Sequence, residues 1–147
     1  MENKYFTPDI SDLHIGYKCE TKVQPYPNWV NTKIIEGEDI TFIQEGIWEV
    51  RTRYLTKEQI EAEGWNHIGG QMISGGIQNY EKGDIWKDDK QGGFLDYSEN
   101  TKMLKITTKD GGYNQDGPNI SIKFFGYCPS INEFRYITQK ILIHENN

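Results

Sequence analysis

The sequence predicts an α+β fold: mainly antiparallel β-sheet, as a meander or half-open barrel, with a short helix near 56–63 and a C-terminal helix near 130–143 packed on the sheet. Three observations carry this. Apolar residues alternate with polar ones at period two along much of the chain, as half-buried strands require. Two capping boxes, Thr56…Gln59 and Ser130…Glu133, each open a short run of helical spacing. Turn-forming pairs such as Glu45-Gly46, Lys82-Gly83 and Glu99-Asn100 separate the strand-like segments at hairpin distances.

Taken in order, Leu13, Ile15, Tyr17 and Cys19 alternate with His14, Gly16, Lys18 and Glu20 and predict a first strand. Val23–Asn31 holds Pro25 and Pro27 and reads as a loop or sheet edge. Ile40–Gln44 and Ile47–Leu55 read as paired strands joined at Glu45-Gly46. In the second, Trp48, Val50, Thr52 and Tyr54 share one face, and Glu49, Arg51 and Arg53 share the other. Leu55 and Ile60 sit where a hydrophobic staple braces the helix that starts at Thr56, and Gly64 supplies its stop.

A meander follows. Ile77–Tyr80 and Ile85–Lys87 flank one turn; Phe94–Tyr97 and Lys102–Thr108 flank Glu99-Asn100, a register that sets Leu95 opposite Leu104. Asp110–Asn119 reads as a polar loop and Asn119–Tyr127 as the closing strand. After Pro129, Ile131, Phe134, Ile137 and Ile141 recur at helical spacing, an apolar stripe meant to lie across a sheet. With 147 residues and no linker-like tract, one domain over residues 1–147 is expected.

Composition narrows the function. The net charge is −6 and the isoelectric point near 5.1, which opposes non-specific binding to nucleic acid or to an anionic membrane surface. No apolar stretch approaches the roughly 20 residues of a membrane span. The polar start, MENKYFTPDI, lacks the basic and apolar regions of a signal peptide, so a cytoplasmic protein is expected, with Cys19 and Cys128 as buried thiols. Nine Tyr, six Phe and four Trp offset a mean hydropathy of −0.76, because each ring buries about 150–250 Å².

Gly64–Gly93 concentrates eight of the fifteen glycines around Trp65, Tyr80 and Trp86, and divides into a loop, Gly64–Gly76, and a hairpin, Ile77–Lys90. Large aromatics between glycines mark a contact surface, the glycine loop being its better part. His67 lies beside Trp65 in that loop. His14 and His144 stand apart from it, and no His, Cys, Asp or Glu completes a metal-ligand pattern. Asp110, Asn114 and Asp116 lack the glycine and closing glutamate of an EF-hand loop. Asp88-Asp89 reads as a solvated turn. Ser74-Gly75-Gly76 lacks a nucleophile elbow, and HIGGQMISGG is neither a phosphate loop nor a dinucleotide fingerprint. No catalytic residue, metal or cofactor is therefore expected. Arg51 and Arg53 project from one strand face and predict an anion clamp, with His67 and the rings of Trp65, Tyr80 and Trp86 completing a nucleotide-sized pocket.

FTPDISDLHIGYKCE, the tryptophan of WVNTKI, EVRTRYLTKEQIEAEGW and SINEFRYITQKI together span most of the chain. In these pieces and their order it resembles small accessory proteins of phages and mobile elements of Bacteroidota-type bacteria. The resemblance implies a viral protein in the host cytoplasm that works by binding, and it carries no catalytic residues. The leading expectation is a non-enzymatic inhibitor of a host defence protein, acting through aromatic loops and an acidic surface. The alternative is a binder that sequesters a nucleotide-like signal in the arginine pair, and the third is a hydrolase of such a signal. An exposed meander edge also offers a second copy a place to pair, as a homo-oligomer.

Overall fold

The computed structural model describes residues 4–71, 76–82, 91–114 and 117–145. It is α+β with two antiparallel sheets and three helices, and neither sheet closes into a barrel. The chain packs as two compact units, Met1–Tyr54 and Leu55–Asn147.

In the first unit, β2 (Lys18–Val23) is central, with β3 (Val30–Ile34) on one side and β4 (Trp48–Arg53) on the other; β1 (Tyr5–Phe6) adds two residues to the outer edge of β4. The strand expected from Leu13 begins only at Lys18. Before it, Gly16 turns the chain at φ +94°, and Ile15, assigned to the buried face, is 72% exposed. The chain returns from β2 to β3 through a cis Gln24-Pro25 bond, within the segment read as loop or edge.

Ile40–Gln44 is not a strand but the body of α1 (Gly37–Gln44). The Asp39 carboxylate accepts a hydrogen bond from the Glu36 N–H at 2.8 Å. Ile40 and Ile43, three apart on a helix, pack on Leu13, Tyr17, Cys19, Ile35 and Val50. Gly46, read as a hairpin turn, ends this helix in the left-handed region at φ +75°, its N–H donating to the Ile43 carbonyl.

In the second unit, α2 (Lys57–Ala62) starts at Thr56 as expected. The Thr56 hydroxyl accepts from Gln59 N–H at 3.2 Å and the Gln59 side chain accepts from Thr56 N–H at 3.0 Å. Gly64 follows with φ +95°. Five strands then run in sequence order: β5 (Asn66–Gln71), β6 (Ile77–Lys82), β7 (Gln91–Ser98), β8 (Met103–Asn114) and β9 (Gly117–Tyr127). The glycine loop is thus partly a strand, since β5 pairs with β6 from Asn66↔Glu81 to Gln71↔Ile77. Asp110–Asn119 is likewise mostly ladder: Asp110 pairs with Asn119 and Asn114 with Gly117.

The β7–β8 register places Leu95 opposite Ile106 and Tyr97 opposite Leu104, not Leu95 opposite Leu104. The connection is two residues longer than a tight Glu99-Asn100 turn, and its left-handed residue is Lys102, φ 61°, whose N–H donates to the Ser98 carbonyl at 2.8 Å. Because the slip keeps parity, the same side chains still face inward.

α3 (Ile131–Glu145) and α2 cover that inner face. Phe134 and Ile131 join Leu55, Ile60, Trp65, Tyr80, Leu95, Tyr97, Leu104, Ile106 and Cys128 in one cluster, with Phe124, Ile137 and Ile141 around it. The junction before α3 is pinned three times. The Tyr97 hydroxyl donates to the Cys128 carbonyl at 3.1 Å, Cys128 N–H to the Lys102 carbonyl at 2.8 Å, and Leu55 N–H to the Pro129 carbonyl at 2.8 Å. Cys19 and Cys128 are buried and not joined in a disulfide; burial pushes the Cys128 thiol well above its ordinary value.

Candidate functional site

The candidate site lies in the first unit, along the outer edge of β4. Gln24 N–H donates to the Ile47 carbonyl, and Tyr54 N–H donates to the Lys4 carbonyl. Backbone groups alternate sides along a strand, so odd residues of β4 address β2 while Thr52 and Val50 address the β1 side. β1 pairs only Tyr5↔Arg53 and Phe6↔Thr52. Two residues further, that register would bring Pro8 opposite Val50, and proline has no N–H to give. The chain leaves β4 there and passes through a 3-10 turn at Ile10–Asp12.

A cleft of about 550 Å³ opens between the departing segment and β4, lined by Tyr5, Phe6, Pro8, Ile10, Leu13, Trp29, Ile43, Trp48, Glu49, Val50 and Arg51 among others. Trp48 and Val50 belong to one face of β4, Glu49 and Arg51 to the other. A cleft lined from both faces wraps around the strand's edge. On the inner side Trp48 stacks on Phe42 of α1, centroids 5.3 Å apart. On the outer side the Arg51 guanidinium lies between the rings of Tyr5, at 4.0 Å, and Trp29, at 4.3 Å. Its Nε reaches Glu20 at 3.2 Å and its terminal nitrogen the second oxygen of Glu20 at 3.4 Å. Lys22 pairs with Glu49 at 2.8 Å and also approaches Trp29. Charges here are matched within the fold, and the exposed remainder is aromatic and apolar.

The residues singled out from the sequence separate. Arg51 lines the cleft with its charge engaged by Glu20; Arg53 is exposed at the end of β4. Trp65 and Tyr80 belong to the core of the second unit, at 7% and 1% exposure, and burial raises the Tyr80 hydroxyl pKa well above its usual value. His67 meets Tyr80 edge-on at 5.2 Å and shares a 2.7 Å hydrogen bond with Gln78. Gly70 makes room for that bond: a Cβ there would come within 2.5 Å of the Gln78 side chain. Trp86 lies outside the described residues, as do Asp88-Asp89, Ser74-Gly75 and Asp116. Among the described residues, no group of three or more His, Cys, Asp or Glu is placed to hold a metal ion, and no helix is long and apolar enough to cross a membrane.

Tyr5, Trp29 and Trp48 were not anticipated as site residues. Their signal in the sequence is faint: each is an aromatic beside a strand end or a proline, and only pairing in space brings them to one edge. Comparison with protein-family models, with curated proteins and with solved structures returned no match to this chain.

Proposed function

We propose that this chain is a non-enzymatic binding protein that takes an extended segment of a partner protein along the outer edge of β4. The observation that carries this reading is the early end of β1 at Phe6: among the described residues no strand pairs with β4 on that side beyond Thr52, and Val50, next in that register, lines the aromatic cleft. An added strand gains main-chain hydrogen bonds from such an edge, and alternate side chains find pockets on its two sides. Here one side offers Ile10, Leu13, Ile43 and Trp48, and the other offers Trp29 and Tyr5 around the neutralised Arg51. The partner segment is therefore extended, apolar and free of net charge where it crosses β4. The phage-type setting suggested by the sequence makes a host protein the source of that segment, in the host cytoplasm.

The test is a phage-displayed peptide library panned against the chain, followed by amide hydrogen exchange of the complex. Bound peptide is expected to slow exchange at Val50, and Trp48→Ala to weaken binding about thirty-fold or more, as loss of a buried aromatic anchor does. Selected peptides that leave Val50 exchange unchanged would refute the reading.

A further inference from the structure

The second unit presents a different surface. The face of its five-stranded sheet opposite α3 carries a groove of about 740 Å³ lined by Asn79, Phe94, Asp96, Met103, Lys105 and Phe125 among others. Strand alternation explains the set. Leu95, Tyr97, Leu104 and Ile106 point into the core, so Phe94, Asp96, Met103, Lys105 and Thr107 point the other way. Around them Ile68 is 52%, Ile122 63%, Phe125 65% and Tyr127 58% exposed. Apolar groups contiguous on one sheet face mark a surface that binds something.

The pairing register sets a polar row across this face: Asn79 beside Asp96, Asp96 beside Lys105, and Lys105 beside Phe125, with Glu81 in the next row beside Phe94. At its centre are one anion and one cation on neighbouring strands. A two-fold axis lying between two such faces, parallel to the strands and passing between β7 and β8, exchanges the two positions. It sets Asp96 over the partner's Lys105 and Lys105 over the partner's Asp96. Self-complementarity of this kind is what an isologous interface requires. A partner bearing only one sign of charge would leave one of the two ions unmatched, at the cost that attends a buried unpaired charge.

We propose that this sheet face is a homodimer interface, with a second copy of the chain packed face to face and the Asp96–Lys105 row reciprocally paired at its centre. The net charge of −6 opposes self-association, but the row itself is neutral. Burial already holds the Asp96 carboxyl above its ordinary value, with Lys105 only partly offsetting it, so the carboxylate gains from a second ammonium. The flanking Phe94, Met103 and Phe125 are the kinds of residue enriched at interface cores, and sheets stack in this manner at about 10 Å.

Sedimentation equilibrium of the full chain, from micromolar to millimolar concentration, tests the proposal. The unsubstituted chain is expected to dimerise. Ile122→Glu, at a position exposed enough to leave the fold intact by circular dichroism, is expected to weaken dimerisation at least about thirty-fold. Asp96→Lys and Lys105→Asp, each made alone, set like charges against each other and are expected to give monomers; the double exchange restores the dimer. A chain that stays monomeric throughout overturns the proposal. So does a dimer untouched by Ile122→Glu, or one that the double exchange fails to restore. Should the single charge variants not fold, the Ile122→Glu result alone decides between a dimer through this face and one through another.

Discussion

Phe134→Ala removes the side chain on which the covering of the second sheet depends. Phe134 is fully buried on the first turns of α3, among Leu95, Tyr97, Leu104 and Ile106. Truncating a buried phenylalanine costs about 3–5 kcal/mol, through lost transfer free energy and the cavity that remains. Small domains lose about 1–3 kcal/mol per molar urea, so the unfolding midpoint of this unit should fall by roughly 1–5 M. Tyr136, two residues on, is an internal control. It is 57% exposed and touches Lys140 through a cation–π contact at 4.4 Å. Tyr136→Ala should move the midpoint by less than about 0.5 M, since exposed substitutions stay within about 0.5 kcal/mol. Urea titrations followed by near-UV circular dichroism read the packing of buried rings directly. Equal losses for the two variants would refute the placement of α3, because they would mean that Phe134 is no more buried than Tyr136.

Three further outcomes follow from local geometry. Thr56→Ala removes the hydroxyl that caps Gln59 N–H and half of a reciprocal pair; a loss of about 1 kcal/mol is expected in the same titration, with Thr56→Ser retaining most of it. Thr52 carries a buried hydroxyl with no hydrogen-bond partner among the described residues, so Thr52→Val should leave stability unchanged or raise it by up to about 1 kcal/mol, and a loss would show that the hydroxyl is satisfied. Asp96 holds its proton more tightly in the folded chain than in the unfolded one. Its contribution therefore falls as pH rises through the ordinary carboxylate value of 3.8 toward the raised folded value. In protein dilute enough to be monomeric, Asp96→Asn should flatten that part of the stability–pH curve and raise stability at neutral pH.

Thr56 and Ser130 both mark helix starts because a cap is local, its donors and acceptors lying within four residues; at Thr56 the box is reciprocal, whereas the Ser130 hydroxyl accepts from Asn132 N–H at 3.2 Å. Even α1, read as a strand, has such signs in Glu36…Asp39, the Ile40/Ile43 spacing and Gly46. Against them stands the β-branched character of Ile40, Thr41 and Ile43, a preference that packing against Leu13 and Val50 overrides. Strand faces were legible too, since period two survives an error of register; Leu95 and Leu104 point inward whichever residues oppose them. The site was not legible. Trp65 and Tyr80 looked like surface aromatics because glycines surround them, yet those glycines let backbone and Gln78 approach closely within a ladder. Arg51 looked like an empty clamp because its carboxylate, Glu20, comes from a neighbouring strand thirty-one positions away. Partners of that kind are decided by topology, which no local window contains.

The place of α3 in the chain bears on how the protein is made. The inner faces of β6, β7 and β8 carry Tyr80, Leu95, Tyr97, Leu104 and Ile106, and part of their cover, Ile131 and Phe134, comes only from the last helix. Leu55 N–H likewise waits for the Pro129 carbonyl. During synthesis the meander is translated before its lid, and at about 5–20 residues per second several rings and aliphatic chains stay uncovered for a few seconds on each ribosome. Aggregation and chaperone capture compete for the nascent chain in that interval, so substitutions that loosen α3 should lower the yield of soluble protein in cells before they measurably lower the stability of the purified one.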